Sequence, residues 1–571
     1  MQSQSQSKWW IVALELGALI VIALVLRLGY VQQVGYVWDT DQFQLWGETA
    51  RDSGLFTVYA NQPRLDYPPL YLAVLSLGFT VQQALQVTPL AVLKFGPILG
   101  DIGLIVLAYV AFYSQRWLRV VVPLALALLP GIIATSAFWG QVDSLWTFFL
   151  VLSAMLVKRQ RFGWAWVIYA IALLTKFQAI VFLPVIGWLT LLELGWRKTV
   201  RPALLFVGVM ALGLLPFMLG SGPQAALRPY LESVGRYNYL TMNAMNPWML
   251  GALFTGEPLA SPDYPMLPDD EPLLGGLTGR HIGLALLAGY TLLVLWSAWR
   301  QRGKDRTFVI AGALYMGFFI LPTQIHERYL YPAMILSIFA IAEDRRMAWV
   351  AVPLALTYTY NVVAIALEPF SWLGLPLLFI AGEIGLGVSL FNLLLLFAWT
   401  VYLLLPPGQP RRMKRVMQWT AQGAIAAVLV GFTVSAILPD PLPAMRPLNA
   451  QFDNGIELIG YEVHQQDTAL DVVLFWRTTE PVDATLYMFV RASADGARLT
   501  QDDSAPAIAT NRWTTGDVFT TRHTLALTNQ DDPALLLTAG LYDSATLRKL
   551  DATQDGAPAQ GDLIALGVGG A

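Results

Sequence analysis

Residues 9–29 read WWIVALELGALIVIALVLRLG, apolar almost from end to end. A helix needs about 20 mostly apolar residues to cross the hydrocarbon of a bilayer, and this stretch has them. Runs of the same kind recur near 92–114, 120–138, 142–157, 163–176, 178–195, 202–219, 282–299, 307–321, 329–342, 347–366, 373–405 and 420–438. Several are shorter than the ideal and one is longer. The expectation is an α-helical polytopic membrane protein with about 13 transmembrane helices. Composition agrees: the 571 residues are 56% hydrophobic and 13% charged, with a mean hydropathy of +0.53. Soluble globular proteins carry about 25% charge, so an ordinary cytosolic enzyme, a disordered chain and a nucleic-acid binder are all excluded. The 20 Trp, 22 Tyr and 27 Phe suit helix ends that meet lipid headgroups. Cysteine is absent, which removes disulfides, thiolate metal sites and a catalytic thiol.

Lys and Arg are retained on the cytoplasmic side of a membrane, so the basic clusters set sidedness. They are Arg116/Arg119, Lys158/Arg159/Arg161, Arg197/Lys198/Arg201, Arg300/Arg302/Lys304/Arg306, Arg345/Arg346 and Arg411/Arg412/Lys414/Arg415. Every second gap between apolar runs holds one. Counting residues 70–79 as a further span would put Arg116 and Arg119 outside. The segment 68–86 is therefore expected as an interfacial or re-entrant helix within a long first external loop, 30–91. That places the N-terminus inside and the C-terminal tail outside, in the cytoplasmic membrane. The polar start, Met1 to Ser7, lacks a cleavage pattern, so the first span reads as a retained anchor.

The tail differs in kind. From Ala450 onward there are 17 acidic and 7 basic residues, a net of −10, which leaves +7 for residues 1–449 of a chain whose net charge is −3. The segments 456–463, 470–476, 485–491 and 535–542 are short, β-branched or aromatic, and separated by turn residues, the pattern of an all-β sandwich. The expected organisation is a helical catalytic domain at 1–438, a stiff Pro-rich linker at 439–449 and a soluble β-sandwich at 450–571. Trp476 and Trp513 in that domain could stack on a sugar, but aromatics more often simply pack in a core.

The candidate chemistry lies at external ends of spans. Trp38-Asp39-Thr40-Asp41-Gln42-Phe43-Gln44-Leu45-Trp46 opens the first loop. A helix starting at Thr40 makes Asp39 its N-cap, with Phe43, Trp46 and Ala50 on one face. On one continuous helix Asp39 and Asp41 diverge by about 200°. With Asp39 as cap, both could reach a shared cleft, or both could merely favour the positive end of a surface helix. Beyond them come Leu65-Asp66-Tyr67-Pro68-Pro69-Leu70, Trp139-Gly140-Gln141-Val142-Asp143, Lys176-Phe177-Gln178 and Thr323-Gln324-Ile325-His326-Glu327-Arg328-Tyr329. Ionisable groups at membrane depth are expensive and mark functional sites by default. Four clusters on one face weaken the alternative of snorkelling or paired core charges. The external loop 220–280 is expected to line the same cleft.

Taken together, these residues resemble the GT-C glycosyltransferases that use a polyprenyl- or dolichyl-phosphate sugar as donor. The nearest are bacterial relatives of the GPI mannosyltransferases and of the dolichyl-phosphate-glucose-dependent glucosyltransferases. The resemblance covers about 30–345. It rests on Asp39 with Phe43 at +4 and Trp46 at +7, on Tyr67-Pro68-Pro69, on Trp139 to Asp143, on Lys176 and Gln178, and on His326-Glu327-Arg328. It implies that Asp39, with Asp41 second, is the general base on the acceptor hydroxyl. Arg328, His326 and Lys176 would bind the donor phosphate, with Glu327 orienting Arg328. Gln141, Asp143, Gln178 and Tyr67 would bind sugar or acceptor. One carboxylate without a nucleophilic partner implies single displacement with inversion. The Asp-x-Asp pair leaves a divalent metal open, although a donor without a diphosphate has less need of one. The acceptor would be a glycan, a lipid or a protein, and the acidic tail leaves its nature open.

Two other readings differ in their features. An O-antigen ligase or polymerase expects a diphosphate donor and an Arg-rich external loop, which 220–280 half resembles. A transporter or lipid flippase expects matched halves with broken helices meeting mid-membrane, and no such halves are visible in the sequence.

Overall fold

The computed structural model describes residues 9–366 except 64 and 252–266, then 383–404, 415 and 446–567, the last span with short gaps between 467 and 547. The expected span at 420–438, the start of the 373–405 run, most of the fourfold basic cluster at 411–415 and the Pro-rich linker at 439–445 lie outside the described residues.

The principal helices are α1 (Trp9–Leu28), α2 (Val37–Asp52), α3 (Pro69–Leu85), α4 (Pro89–Ala111), α5 (Leu118–Leu128), α6 (Asp143–Lys158) and α7 (Phe162–Thr175). After them come α8 (Leu183–Leu194), α9 (Trp196–Ser221), α10 (Gly279–Arg300), α11 (Thr307–Ile320), α12 (Tyr331–Ala340), α13 (Ala348–Ala366) and α14 (Glu383–Leu404). Seven helical stretches are long and apolar enough to cross a bilayer: Trp9–Leu28, Pro89–Ala111, Phe177–Leu194, Trp196–Ser221, Gly279–Arg300, Arg345–Ile365 and Gly385–Leu404. The bent pair Leu118–Leu128 and Pro130–Trp139 makes an eighth if counted as one span. The protein is a multi-pass membrane protein.

Thirteen spans are not reached among the described residues. The runs at 142–157, 163–176, 307–321 and 329–342 form helices of 16, 14, 14 and 10 residues. Hydropathy does not separate lipid-facing residues from those buried against other helices. Almost every residue of α11 is buried in protein, so it need not match the bilayer thickness alone. The run at 120–138 is not one helix either. Pro130 has no N–H to continue the ladder, and the chain bends by 50° there. A six-residue π-turn, Ala134–Trp139, follows and ends at Gly140 with φ 86°. The segment expected at 68–86 is α3, which opens on the second of two prolines, and its Pro69–Gln82 stretch ranks with the shorter apolar helices.

Small residues let the helices close on one another. A Cβ on Gly100 would stand 2.4 Å from the backbone nitrogen of Leu145, and one on Gly103 would stand 2.5 Å from the Phe148 ring. Contact this close is available only to glycine and brings α4 onto α6.

The segment 240–251 is irregular but largely buried. Its backbone is satisfied by asparagines of the flanking helices: Asn361 Oδ1 accepts from Met245 N–H at 3.0 Å, and Asn392 Nδ2 donates to Met245 O at 2.9 Å. Non-helical backbone is tolerated at such depth only when protein supplies its partners. A small hairpin, β1 (Pro272–Leu274) and β2 (Leu277–Thr278), precedes α10.

The C-terminal strands form a separate compact unit. They are β3 (Arg446–Phe452), β4 (Ile456–Gln466), β5 (Ala469–Thr478), β6 (Leu486–Ala494), β7 (Ala497–Ser504), β8 (Val518–Ala526), β9 (Leu536–Asp543), β10 (Ala552–Gln554), β11 (Ala557–Pro558) and β12 (Ile564–Leu566). A six-stranded sheet in the order β11-β10-β3-β4-β5-β8 faces a four-stranded one in the order β12-β9-β6-β7. Leu458, Leu470, Val472, Leu474, Leu486, Met488, Val490 and Leu541 share one core between them, which makes the unit a β-sandwich. Residues 446–449, read as linker from the sequence, belong to β3. Trp476 is fully buried with its indole N–H on Thr521 Oγ1 at 2.9 Å, and Trp513 lies flat on Phe519 at 4.4 Å. Both are core residues.

Gly100→Val is expected to destabilise the helical unit by about 1–3 kcal/mol, the usual range for overpacking. Gly17→Ala, which meets nothing within 4 Å, serves as control. Thermal melts of detergent-purified protein check this: the first variant melts lower, the second does not.

Candidate active site

Helix α2 begins at Val37, not at Thr40, with Tyr36 as its N-cap and no side-chain cap bond. Thr40 instead donates back to Val34 O at 2.7 Å and Tyr36 O at 3.1 Å. Asp39 is therefore not the cap but a first-turn residue, and its carboxylate turns away from its own helix. Asp39 Oδ2 accepts from the Trp139 indole at 2.9 Å and from the Gln141 side-chain amide. Those donors flank Gly140, whose positive φ sets them side by side. Gly35 lets the chain approach: a Cβ there would sit 2.6 Å from Phe138 O.

Because Asp39 lies inside the helix, Asp41 is turned about 200° from it. Asp41 is exposed, and the structure does not bring it to the site. The expectation that both carboxylates reach one cleft depended on Asp39 preceding the helix, and it does not.

The other expected residues do converge. Tyr67 Oη reaches Gln141 Oε1 at 3.4 Å, and its ring packs with Phe43, Trp46 and Tyr71 at centroid distances of 5.3, 5.6 and 5.2 Å. Asp143, the first residue of α6, is wholly buried and accepts from Lys176 Nζ at 2.8 and 3.0 Å and from Trp146 at 3.1 Å. Lys176 also lies over the rings of Tyr67 and Tyr329, at 5.8 and 5.5 Å. Gln178 donates to Tyr329 Oη at 2.8 Å.

Arg328 is the centre of the far wall. Its guanidinium donates to Glu327 Oε1 at 2.8 Å, faces the Trp139 ring at 5.4 Å and places Nε 4.0 Å from Asp143 Oδ2. That Nε is buried and lacks a hydrogen-bond partner among the described residues. Burial pushes the Glu327 carboxyl up, but Arg328 and the adjacent His326 outweigh it and hold it at about 2. His326 is pushed below its ordinary value by burial, then by Arg328, so its ring is neutral at pH 7. The whole turn is braced by segment 239–251, where Met242 N–H bonds Ile325 O at 2.8 Å.

Several participants were given no role from the sequence. Trp139 is a direct donor to Asp39. Asp66 pairs with Arg236 at 3.2 Å, joining the Tyr67-Pro68 loop to the 232–239 loop, and burial raises the Asp66 carboxyl. Asn361 and Asn392 brace the turn from behind. Arg27, Lys94 and Asp101 are buried charges on α1 and α4. Their signal was available, since each is a polar or charged residue inside an apolar run. Among the described residues, no three His, Cys, Asp or Glu side chains gather as a metal site requires.

The arrangement offers a carboxylate fixed through one oxygen beside a guanidinium with an unused N–H. No protein-family model matches the chain, and no curated protein matches it. The solved structures similar to it include two of ArnT from Cupriavidus metallidurans. The one bound to undecaprenyl phosphate is 17% identical with a TM-score of 0.39, and the apo form is 18% identical with a TM-score of 0.40. Each comparison covers 75% of this chain and 76% of that one. At that identity and TM-score the likeness carries no chemistry to this chain.

Removing one partner of a buried ion pair typically costs about 3–5 kcal/mol, because a charge is left uncompensated. Asp143→Asn and Lys176→Met should each lower the melting temperature sharply, and the double variant should melt above the additive expectation. Strict additivity would show that the two do not form a pair. The Glu327 value sets a pH test. A carboxyl at about 2 in the folded protein, against 4.5 ordinarily, adds stability that is complete above about pH 5 and is lost as pH falls toward 2. The melting-temperature gap between wild type and Glu327→Gln should narrow from pH 5 to pH 3.

Proposed function

We propose that the protein is a GT-C-type membrane glycosyltransferase that moves a hexose, mannose or glucose, from a polyprenyl-phosphate carrier to an acceptor outside the cytoplasmic membrane, with inversion. The observation that carries this reading is the Asp39 carboxylate. Two donors hold its Oδ2, while Oδ1 takes no hydrogen bond among the described residues. In the proposed reaction Oδ1 receives the proton of the acceptor hydroxyl as that oxygen attacks the anomeric carbon. The bond between that carbon and the phosphate oxygen breaks, and the electron pair leaves with the lipid phosphate.

The leaving phosphate needs charge compensation more than covalent help. Arg328 supplies it: its Nε is unpartnered, and Glu327 fixes the guanidinium through another nitrogen. His326, neutral at pH 7, would donate or accept a hydrogen bond beside it. Lys176 is held on Asp143 and so contributes mainly through its field and by placing Asp143 near Arg328. Gln141 acts through Asp39, and Tyr67 and Gln178 remain the candidates for sugar hydroxyls. The proposed setting has the N-terminus inside and the β-sandwich outside. Ligase and transporter readings have no observation that favours them over this one.

The test is transfer from a radiolabelled polyprenyl-phosphate hexose in membranes at matched expression. Asp39→Asn should lower the rate by roughly 10²-fold or more, and Asp41→Asn should transfer at the wild-type rate. Arg328→Lys, which loses the planar fork, should raise the donor KM. Wild-type transfer by Asp39→Asn would overturn the assignment of the base.

A further inference from the structure

Lys94 and Asp101 are buried, charged and unused by the chemistry above. They lie seven residues apart on α4, two helical turns less about 20°, and so on one face. Both grip the chain that leads into Asp39. Lys94 Nζ donates to Tyr30 O at 2.9 Å and also to Gln33 O. These carbonyls belong to the turns that follow α1, and Tyr30 O also accepts from Gln33 N–H at 3.0 Å. No carboxylate pairs with Lys94 among the described residues, so its partners are this backbone alone. Its stem also passes Gly140: a Cβ built there would lie 3.4 Å from Lys94 Cγ. One side chain thus touches the turn before α2 and the turn that carries both donors to Asp39.

Asp101 is the second grip. Its Oδ2 accepts from Arg27 Nε at 2.6 Å and from Ser136 Oγ at 2.5 Å, and its Oδ1 meets Tyr331 Oη at 3.4 Å. Arg27 lies in the last turn of α1 and also donates to Ala127 O at 3.0 Å, at the end of α5. Ser136 is three residues before Trp139, and Tyr331 three residues after Arg328. Asp101 therefore joins the end of α1, the π-turn that leads into Trp139 and the start of α12, which follows the turn of Arg328.

We propose that Lys94 and Asp101 are positioning residues that fix Asp39 relative to Trp139, Gln141 and Arg328. This rests on the reading of Asp39 as the base. A base displaced by about 1 Å can lose roughly 10²-fold in rate, so two grips on its approach serve the reaction and not only the fold.

The test is a pair of cycles in the full-length protein. Lys94→Met, and separately Asp101→Asn, should lower kcat by roughly 10–100-fold with the donor KM little changed. In an Asp39→Asn background the same substitutions should change nothing further, since the group they position is gone. Equal losses in both backgrounds would overturn the proposal. If Lys94→Met does not fold, Lys94→Gln, too short to reach both carbonyls, takes its place under the same criteria. A second readout does not need activity. The chain has no cysteine, so nitroxides at Asp41→Cys on α2 and Leu292→Cys on α10, both exposed sites, report the placement of α2. Lys94→Met should broaden or shift their distance distribution, and an unchanged distribution would overturn the proposal. If Asp39→Asn itself transfers normally, the base assignment fails, and the nitroxide distances alone decide whether Lys94 positions α2.

Discussion

A charge can be taken out of water only if another charge or a set of hydrogen bonds meets it. In the helical unit most buried charges meet that requirement in pairs, and two of the pairs, Lys176–Asp143 and Arg27–Asp101, join segments distant in the chain. Lys176 meets Asp143, Arg27 meets Asp101, and Arg328 meets Glu327 while approaching Asp143. Remove one member and its partner is left buried and unmatched, so the pairs determine which loops sit together at the end of the helices. Asp39 is handled differently. Neutral donors, the Trp139 indole and the Gln141 amide, hold its carboxylate, and that suits a group whose proposed task is to change its protonation.

The backbone follows the same logic. The helix 118–139 is bent at Pro130, loosened into a π-turn and closed by a left-handed Gly140, and the result is a short platform for Trp139 and Gln141. Segment 239–251 is irregular yet packed among helices, and Asn361 and Asn392 supply partners for the backbone of Asn243 and Met245. Both departures from helix lie beside the charged cluster. A local rule is broken where the site needs an oriented side chain, and nearby residues satisfy the groups thereby exposed.

Much of this was legible in the residues. The apolar runs located the helices, the change of period at 450 located the β unit, and Trp139 to Asp143, Lys176 to Gln178 and His326 to Arg328 were placed at one site. The number of spans was not legible, because α6, α7, α11 and α12 are apolar for reasons of protein burial, and apolarity alone does not say what covers it. The start of α2 was misplaced by three residues: Asp before Thr has the form of a cap, and only the tertiary contact to Trp139 shows why that carboxylate turns elsewhere. With that shift Asp39 meets Trp139 and Gln141, while Asp41 is exposed. Arg27, Lys94 and Asp101 were visible as charges within apolar runs, but their partners lie up to 230 residues away, beyond any local pattern. Trp476 and Trp513 went to the core, as their burial on both faces dictates.

In the proposed reaction one carboxylate acts as base in a single displacement, with no covalent intermediate on the protein. The anomeric configuration of the product reports on this most directly. A polyprenyl-phosphate hexose of defined configuration is offered to the purified protein, and the new linkage is read by NMR from the coupling at the anomeric carbon. A single displacement gives the opposite configuration to that of the donor. Retention would require a second displacement and a nucleophile, and would contradict it.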